Sequence, residues 1–205
     1  MLNIVEKNIN LSGRIGAAIA NLFPGYLAVV MATGIVSIAA HLLGFGWISW
    51  VLAYVNIGAY TVLCILLVIR LVRFFPRVIA DITDHVRGPG FFTVSAGTCV
   101  LGSQFVIVHG NFEIAPPLWF AGIILWAITM YTFFAAVTIR ENKPSLEKGL
   151  SGTWLLAAVA TQSISVLGTL LADHFDEYRN VLLFFTLCMF LIGCMLYLQI
   201  GRAHV

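Results

Sequence analysis

The chain has 205 residues, of which 60% are hydrophobic and only 10% charged, with a net charge of +2 and a mean hydropathy of +0.99. Soluble domains carry about 25% charged residues, so the composition excludes a water-soluble globular domain and reads as an integral membrane protein. The small positive balance sits in short loops rather than on one face and so gives no sign of nucleic acid, and no nucleic-acid partner is expected.

In chain order, residues 1–20 read as a cytoplasmic N-terminal segment. It opens mixed and polar, without the apolar core of a cleavable signal peptide. A membrane helix needs about 20 apolar residues to cross roughly 30 Å of hydrocarbon. Six stretches within 21–200 qualify, at about 23–43, 48–72, 90–108, 115–137, 152–172 and 179–200. No Asp, Glu, Lys or Arg lies well inside any of them; Arg70 lies at an end, where its guanidinium can snorkel. His41, near the outer end of the first stretch, reads as an interfacial histidine. Between the second and third, Val78, Ile79, Ile82 and Val86 recur at helical spacing opposite Arg77, Asp81 and Asp84. That pattern fits a short helix on the membrane surface or a solvated loop. The four cysteines (Cys64, Cys99, Cys188, Cys194) fall inside apolar runs and read as packing residues, not disulfides or metal ligands. Residues 201–205 read as a truncated or artefactual tail.

Lys and Arg set the expected orientation. The N-terminal segment holds Lys7 and Arg14. Arg70, Arg73, Arg77 and Arg87 follow the second stretch, Arg140, Lys143 and Lys148 the fourth, and Arg202 the sixth. The alternate loops flank only Arg179. Both termini of the chain are therefore expected on the cytoplasmic side. Trp47, Trp50 and Trp119 are expected at the outer interface and Trp154 at the inner one.

Three segments repeat: PGYLAVVMATGIVS from Pro24, PGFFTVSAGTCVLG from Pro89 and GTWLLAAVATQSIS from Gly152. They align Thr33, Thr98 and Thr161, at intervals of 65 and 63 residues. An aromatic stands seven residues earlier in each (Tyr26, Phe91, Trp154), and a small residue immediately before each threonine (Ala32, Gly97, Ala160). A further small residue follows one turn later (Ser37, Gly102, Ser165). One period holds two spans, so the repeating unit is a helical hairpin. The even spans are bulky and suit lipid, whereas the odd spans carry Gly, Ser, Thr and Gln. Small polar helices must face protein or water, so the odd spans are expected inside and the even ones outside.

Two readings account for the small residues. They can allow close helix packing, or they can line a polar conduit. Each threonine lies about 13 Å along its helix, near mid-membrane. On the conduit reading Thr33, Thr98 and Thr161 form one ring, and Ser37, Gly102 and Ser165 another. Gly34, Gly97, Gln162 and Phe91 are secondary lining residues. Such a conduit has no carboxylate ring, which a cation pathway usually uses. The odd helices enter from the basic side with their positive N-terminal dipoles, so an anion is favoured.

These three segments, extended to FPGYLAVVMATGIVSIAAHLLG, RGPGFFTVSAGTCVLGSQF and SGTWLLAAVATQSISVLG, resemble the tellurite-resistance/dicarboxylate transporter family. That family takes in TehA-like bacterial proteins, fungal malate and sulfite permeases, and the slow-type (voltage-dependent) anion channels of plant guard cells. The resemblance implies an all-α fold of five helical hairpins around a pseudo-fivefold pore lined by the odd helices. It also implies homotrimers with one pore per subunit, anion substrates such as chloride, nitrate or malate, and a plasma- or inner-membrane location. The sequence carries three hairpins rather than five, which implies a fragment of the family fold. The family's pore-occluding phenylalanine lies on a ninth helix, so no residue here inherits that role.

The leading expectation is thus an anion channel or permease, with no cofactor and no enzymatic activity. The alternative within the family is a coupled dicarboxylate carrier or a tellurite or sulfite exporter. A non-conducting assembly subunit is a further reading. A rhomboid-like intramembrane protease is the remote one, resting on GLSG at 149–152; its serine needs a histidine base from a facing helix.

Overall fold

The computed structural model describes residues 13–139 and 151–202. Lys7, Arg140, Lys143 and Lys148, on which part of the orientation rests, lie outside the described residues, as does the tail beyond Arg202. Among the described residues there is no strand; residues 13–20 are helical, and seven further α-helices follow. We label them α1 (Ala28–Leu42), α2 (Gly46–Arg73), α3 (Phe75–Ile82), α4 (Phe92–His109), α5 (Ala115–Ile139), α6 (Leu155–Leu171) and α7 (Arg179–Arg202). All but α3 belong to segments long and apolar enough to cross a membrane.

Three of these crossings begin in the same way. A short 3-10 turn (Pro24–Leu27, Gly88–Phe91, Gly152–Trp154) leads into α1, α4 and α6 respectively. Pro24 is the first and Pro89 the second residue of its turn, where a missing N–H costs nothing and the fixed φ is pre-set for helix. The turns lie side by side. At Gly90 the approach is so close that a β-carbon would come within 2.9 Å of the Gly25 nitrogen. The opposite ends stop at glycines with positive φ: Gly44 (φ 83) after α1 and Gly110 (φ 61) after α4. The Gly110 and Asn111 amides return to the carbonyls of Val106 and Phe105, closing the last turn of α4.

Each of α1, α4 and α6 packs along the helix that follows it, and α4 also packs against both α1 and α6. The burial pattern separates two layers. In the spans containing α4 and α6, 78% and 61% of residues are buried, against 11–17% in those of α2, α5 and α7. The α1 span is intermediate at 39%; among the described residues it packs chiefly against α2 and α4, whereas α4 lies between α1 and α6. Small residues explain why the inner helices pack closely: Gly102 approaches α6 so nearly that a β-carbon would lie 2.5 Å from Leu167.

Two apolar clusters fill the seams. One joins Phe92, Phe133 and Trp154, whose rings meet edge to face at 5.8 Å and 4.9 Å. The other joins Cys99, Trp119, Ile164 and Leu167.

Several side chains stand where the sequence does not place them. Trp119 is buried, not at a lipid interface, and its indole N–H donates to the Ile164 carbonyl at 2.9 Å. Trp154 is likewise buried and donates to His85 O at 3.1 Å. A neighbouring helix or turn offers each indole a carbonyl, so neither needs headgroup water. Trp47 and Trp50 are exposed. Arg70 does not snorkel: it is 1% exposed, paired with Asp81 and donating from Nε to Ala20 O at 3.3 Å. Arg87 Nε lies 3.0 Å from the same carboxylate. The segment carrying Asp81 is a helix, α3, with Val78 buried and Ile79 exposed. The ion pairs turn Asp81 toward the membrane helices rather than toward solvent.

Candidate functional site

One side of the α1–α4–α6 row forms a groove of ≈ 710 Å³. Ile35 and Ile38 of α1, Val100 and Ser103 of α4, and Val159 and Gln162 of α6 wall it, and residues of α7 flank it. No Asp, Glu, Lys or Arg lines it. Its polar groups are nearly all engaged. Ser103 and Ser163 donate to the carbonyls of Cys99 and Val159 in their own helices, while Gln162 Nε2 reaches the Phe190 carbonyl on α7 at 3.1 Å. The wall is therefore a neutral, largely aliphatic surface with a few hydroxyls and one amide.

The ten lining residues expected from the repeat distribute as follows. Gln162 is on the groove. Thr33 is half-buried and has no hydrogen-bond partner among the described residues. The other hydroxyls turn away from the groove, into seams between helices. Ser37 donates to Ser49 O on α2 at 2.8 Å. Thr98 donates to Val94 O and shares a 3.0 Å hydrogen bond with Tyr60 Oη on α2. Thr161 donates to Ala157 O and accepts from Trp126 Nε1 on α5 at 2.8 Å. Ser165 donates to Thr186 O on α7 at 2.8 Å. The glycines are contact points: Gly34 against Val100 and Asn56, Gly97 against Leu27, and Gly102 against Leu167. Phe91 is buried in the turn before α4. The physical reason is that each hydroxyl finds a partner on a neighbouring helix, and a satisfied seam outcompetes an unsatisfied face.

Sequence reasoning missed Ile35, Ile38, Val100 and Val159, because aliphatic residues on an apolar helix carry no distinguishing mark. It also missed the buried amide pair in which Asn56 Nδ2 donates to Gln104 Oε1 at 2.8 Å, linking α2 to α4 beside Gly34. Two Asn/Gln side chains on adjacent spans were the available signal.

The described residues hold no group of three or more His, Cys, Asp or Glu fit for a metal ion. Ser151, the serine of the protease reading, pairs with the Thr153 hydroxyl at 2.6 Å. All four cysteines are free, and Cys99 is buried.

Comparison with known proteins adds the following. The model of the voltage-dependent anion channel family matches residues 21–202. An uncharacterized transporter of Methanocaldococcus jannaschii, MJ0762, is 26% identical over 163 residues, covering 76% of this chain and 46% of that protein. A second from the same organism, MJ0576, is 24% identical over 181 residues, covering 85% of this chain and 49% of the relative. The chain thus spans about half the length of the curated relatives it matches. No solved structure matches it.

Proposed function

The chain belongs to the voltage-dependent anion channel family, and from that premise we propose that it forms part of a membrane pathway for small anions such as chloride, nitrate or malate. It is a multi-pass membrane protein, with six helices able to span the bilayer. The observation that carries the reading is the charge-free groove along α1, α4 and α6, set beside the family match. Three inner helices begin side by side, so the positive ends of their dipoles lie together at one mouth, near Arg87. An anion drawn to that mouth meets a wall without fixed charge, which holds it weakly enough to let it leave. In this reading Gln162 is the polar residue of the wall. Ser37, Thr98, Thr161 and Ser165 set the spacing between layers rather than touching the ion. Cytoplasmic termini, a trimeric assembly and a place in the plasma or inner membrane belong to the same proposal.

Anion efflux from proteoliposomes holding the native protein tests it. Efflux of chloride, nitrate or malate above that of empty vesicles is expected, with Gln162→Leu changing rate or ion preference severalfold. No flux of any of the three overturns the reading. Reversal potentials against proton and anion gradients then separate an uncoupled channel from a coupled carrier.

A further inference from the structure

Where the first two inner helices begin, three arginines from three elements converge on the stretch 20–23. Arg70, near the end of α2, donates from Nε to Ala20 O and pairs with Asp81 of α3. Arg77, one helical turn before Asp81 on α3, donates from Nη1 to Asn21 Oδ1 at 3.3 Å. Arg87, at the turn before α4, approaches Asp81 and stands over the Phe23 ring, its Cζ 5.7 Å from the ring centroid. Three guanidinium groups thus gather about one carboxylate. The other carboxylate of the segment, Asp84, accepts from the amides of Val86 and Arg87 with one oxygen. Counting both, three positive charges stand against two negative ones.

The imbalance is visible in the hydrogen bonding. Arg70 Nη1 and Arg87 Nε are closed off from solvent, and neither has a hydrogen-bond partner among the described residues. Arg87 Nε lies beside the Asp81 carboxylate without being aligned on it. Among the described residues no carboxylate other than Asp81 forms an ion pair with these arginines. A buried guanidinium short of acceptors is costly, and two of them around one carboxylate call for a second anion. Access is open from outside, since Arg77 is exposed and the Arg87 side chain is 37% exposed. The rim is apolar: Phe23 under Arg87, and Phe75 and Ile79 on another flank of α3, are exposed.

We propose that this cluster binds the phosphate of an acidic phospholipid, held by Arg77 and Arg87 with Arg70 behind them, while the lipid tails lie against the exposed apolar rim. Three observations support this occupant. The planar fork of arginine matches a phosphate two bonds at a time, and two guanidinium groups here have nitrogens to spare. The excess charge favours a headgroup with net negative charge over a zwitterionic one, which brings its own cation. The cluster lies at the end of α2 and the start of the span carrying α4, the depth of a headgroup, and its apolar rim suits a lipid better than a solute. The site is separate from the groove, which no Lys or Arg lines, and does not rest on the transport reading.

The test is a titration of the full chain, purified in detergent and stripped of lipid, with dioctanoyl phosphatidylglycerol. The thermal unfolding midpoint and native mass spectrometry read it. A saturable rise in the midpoint with one tightly bound lipid per chain is expected, and dioctanoyl phosphatidylcholine should bind severalfold more weakly. Arg77→Gln and Arg87→Gln should each weaken phosphatidylglycerol about fivefold, the worth of one basic residue at an anionic surface. Arg179→Gln, which breaks the ion pair with Asp173 where α7 begins, should leave that affinity unchanged. If the arginines served the fold alone, their loss would lower the lipid-free midpoint and leave the affinity where it was. Equal affinity for the two lipids, or an unchanged affinity in the Arg77→Gln/Arg87→Gln double variant, overturns the proposal. Saturation by inorganic phosphate at the same concentrations overturns it in favour of a solute site.

Discussion

The individual side chains of this molecule are spent mostly on joining helices. Gly122 shows how tightly. A β-carbon there would collide with Cys99 Sγ, and Ser95 donates to the Gly122 carbonyl at 2.8 Å from the same helix as Cys99. Gly122→Ala should therefore destabilise the protein by about 1–3 kcal/mol through overpacking, read as a lower midpoint in denaturant titration in detergent. Adding Cys99→Ala should recover part of the loss; equal destabilisation by the double variant would place the strain elsewhere. The amide pair behaves differently. Asn56 and Gln104 satisfy one another once, leaving Asn56 Oδ1 and Gln104 Nε2 without partners. Asn56→Leu strands the Gln104 carboxamide and should cost about 1–3 kcal/mol, whereas Asn56→Leu with Gln104→Met should restore wild-type stability or exceed it. The same titration reads both.

At the scale of elements, the six spans were legible because length and hydropathy leave no other solution in lipid. Their division into two layers was legible too, since bulky even spans and small polar odd spans call for different surroundings, and the burial of α4 and α6 against α2, α5 and α7 follows that division. The short helix α3 was visible only as one of two readings. What holds α3 is an ion pair that no periodicity reveals. Arg70, near the end of α2, is 1% exposed and faces the α3 carboxylate of Asp81, which Arg87 also approaches. Asp81→Asn leaves a buried guanidinium without its counter-charge, and breaking a pair in this way costs about 3–5 kcal/mol. The expected result is early loss of the α3 region in hydrogen exchange, with reduced global stability. If Asp81→Asn unfolds with wild-type energetics, the pair is not what fastens α3 to α2.

For the whole molecule, the arrangement among the described residues is a row of three inner helices, each packed along its outer partner, with α4 between α1 and α6. Its orientation in the bilayer is tested by accessibility. A cysteine at Glu177 should react with a membrane-impermeant maleimide added outside intact cells, and one at Arg202 only after permeabilisation, the four native cysteines having been replaced. The reverse pattern would invert the topology, and with it the side on which the inner helices begin. The meeting of those helix starts and the neutral groove both belong to this scale, because each is built from three or four helices at once.

By itself the sequence determined the class of protein and the number of helices long and apolar enough to cross a membrane. These follow from one dimension: each residue advances a helix by 1.5 Å, and a bilayer fixes how many are needed. The sequence also carried the family resemblance, through the three segments that repeat. Only the tertiary structure decided azimuth, the direction in which each side chain points around its helix. Thr33, Thr98 and Thr161 align in the sequence, yet Thr98 and Thr161 turn to Tyr60 and Trp126, and the groove is lined by Ile35, Val100 and Val159. Rotation about a helix axis is set by the shape and hydrogen bonding of its neighbours. No local pattern on an apolar helix specifies it, because every face of such a helix is acceptable to lipid.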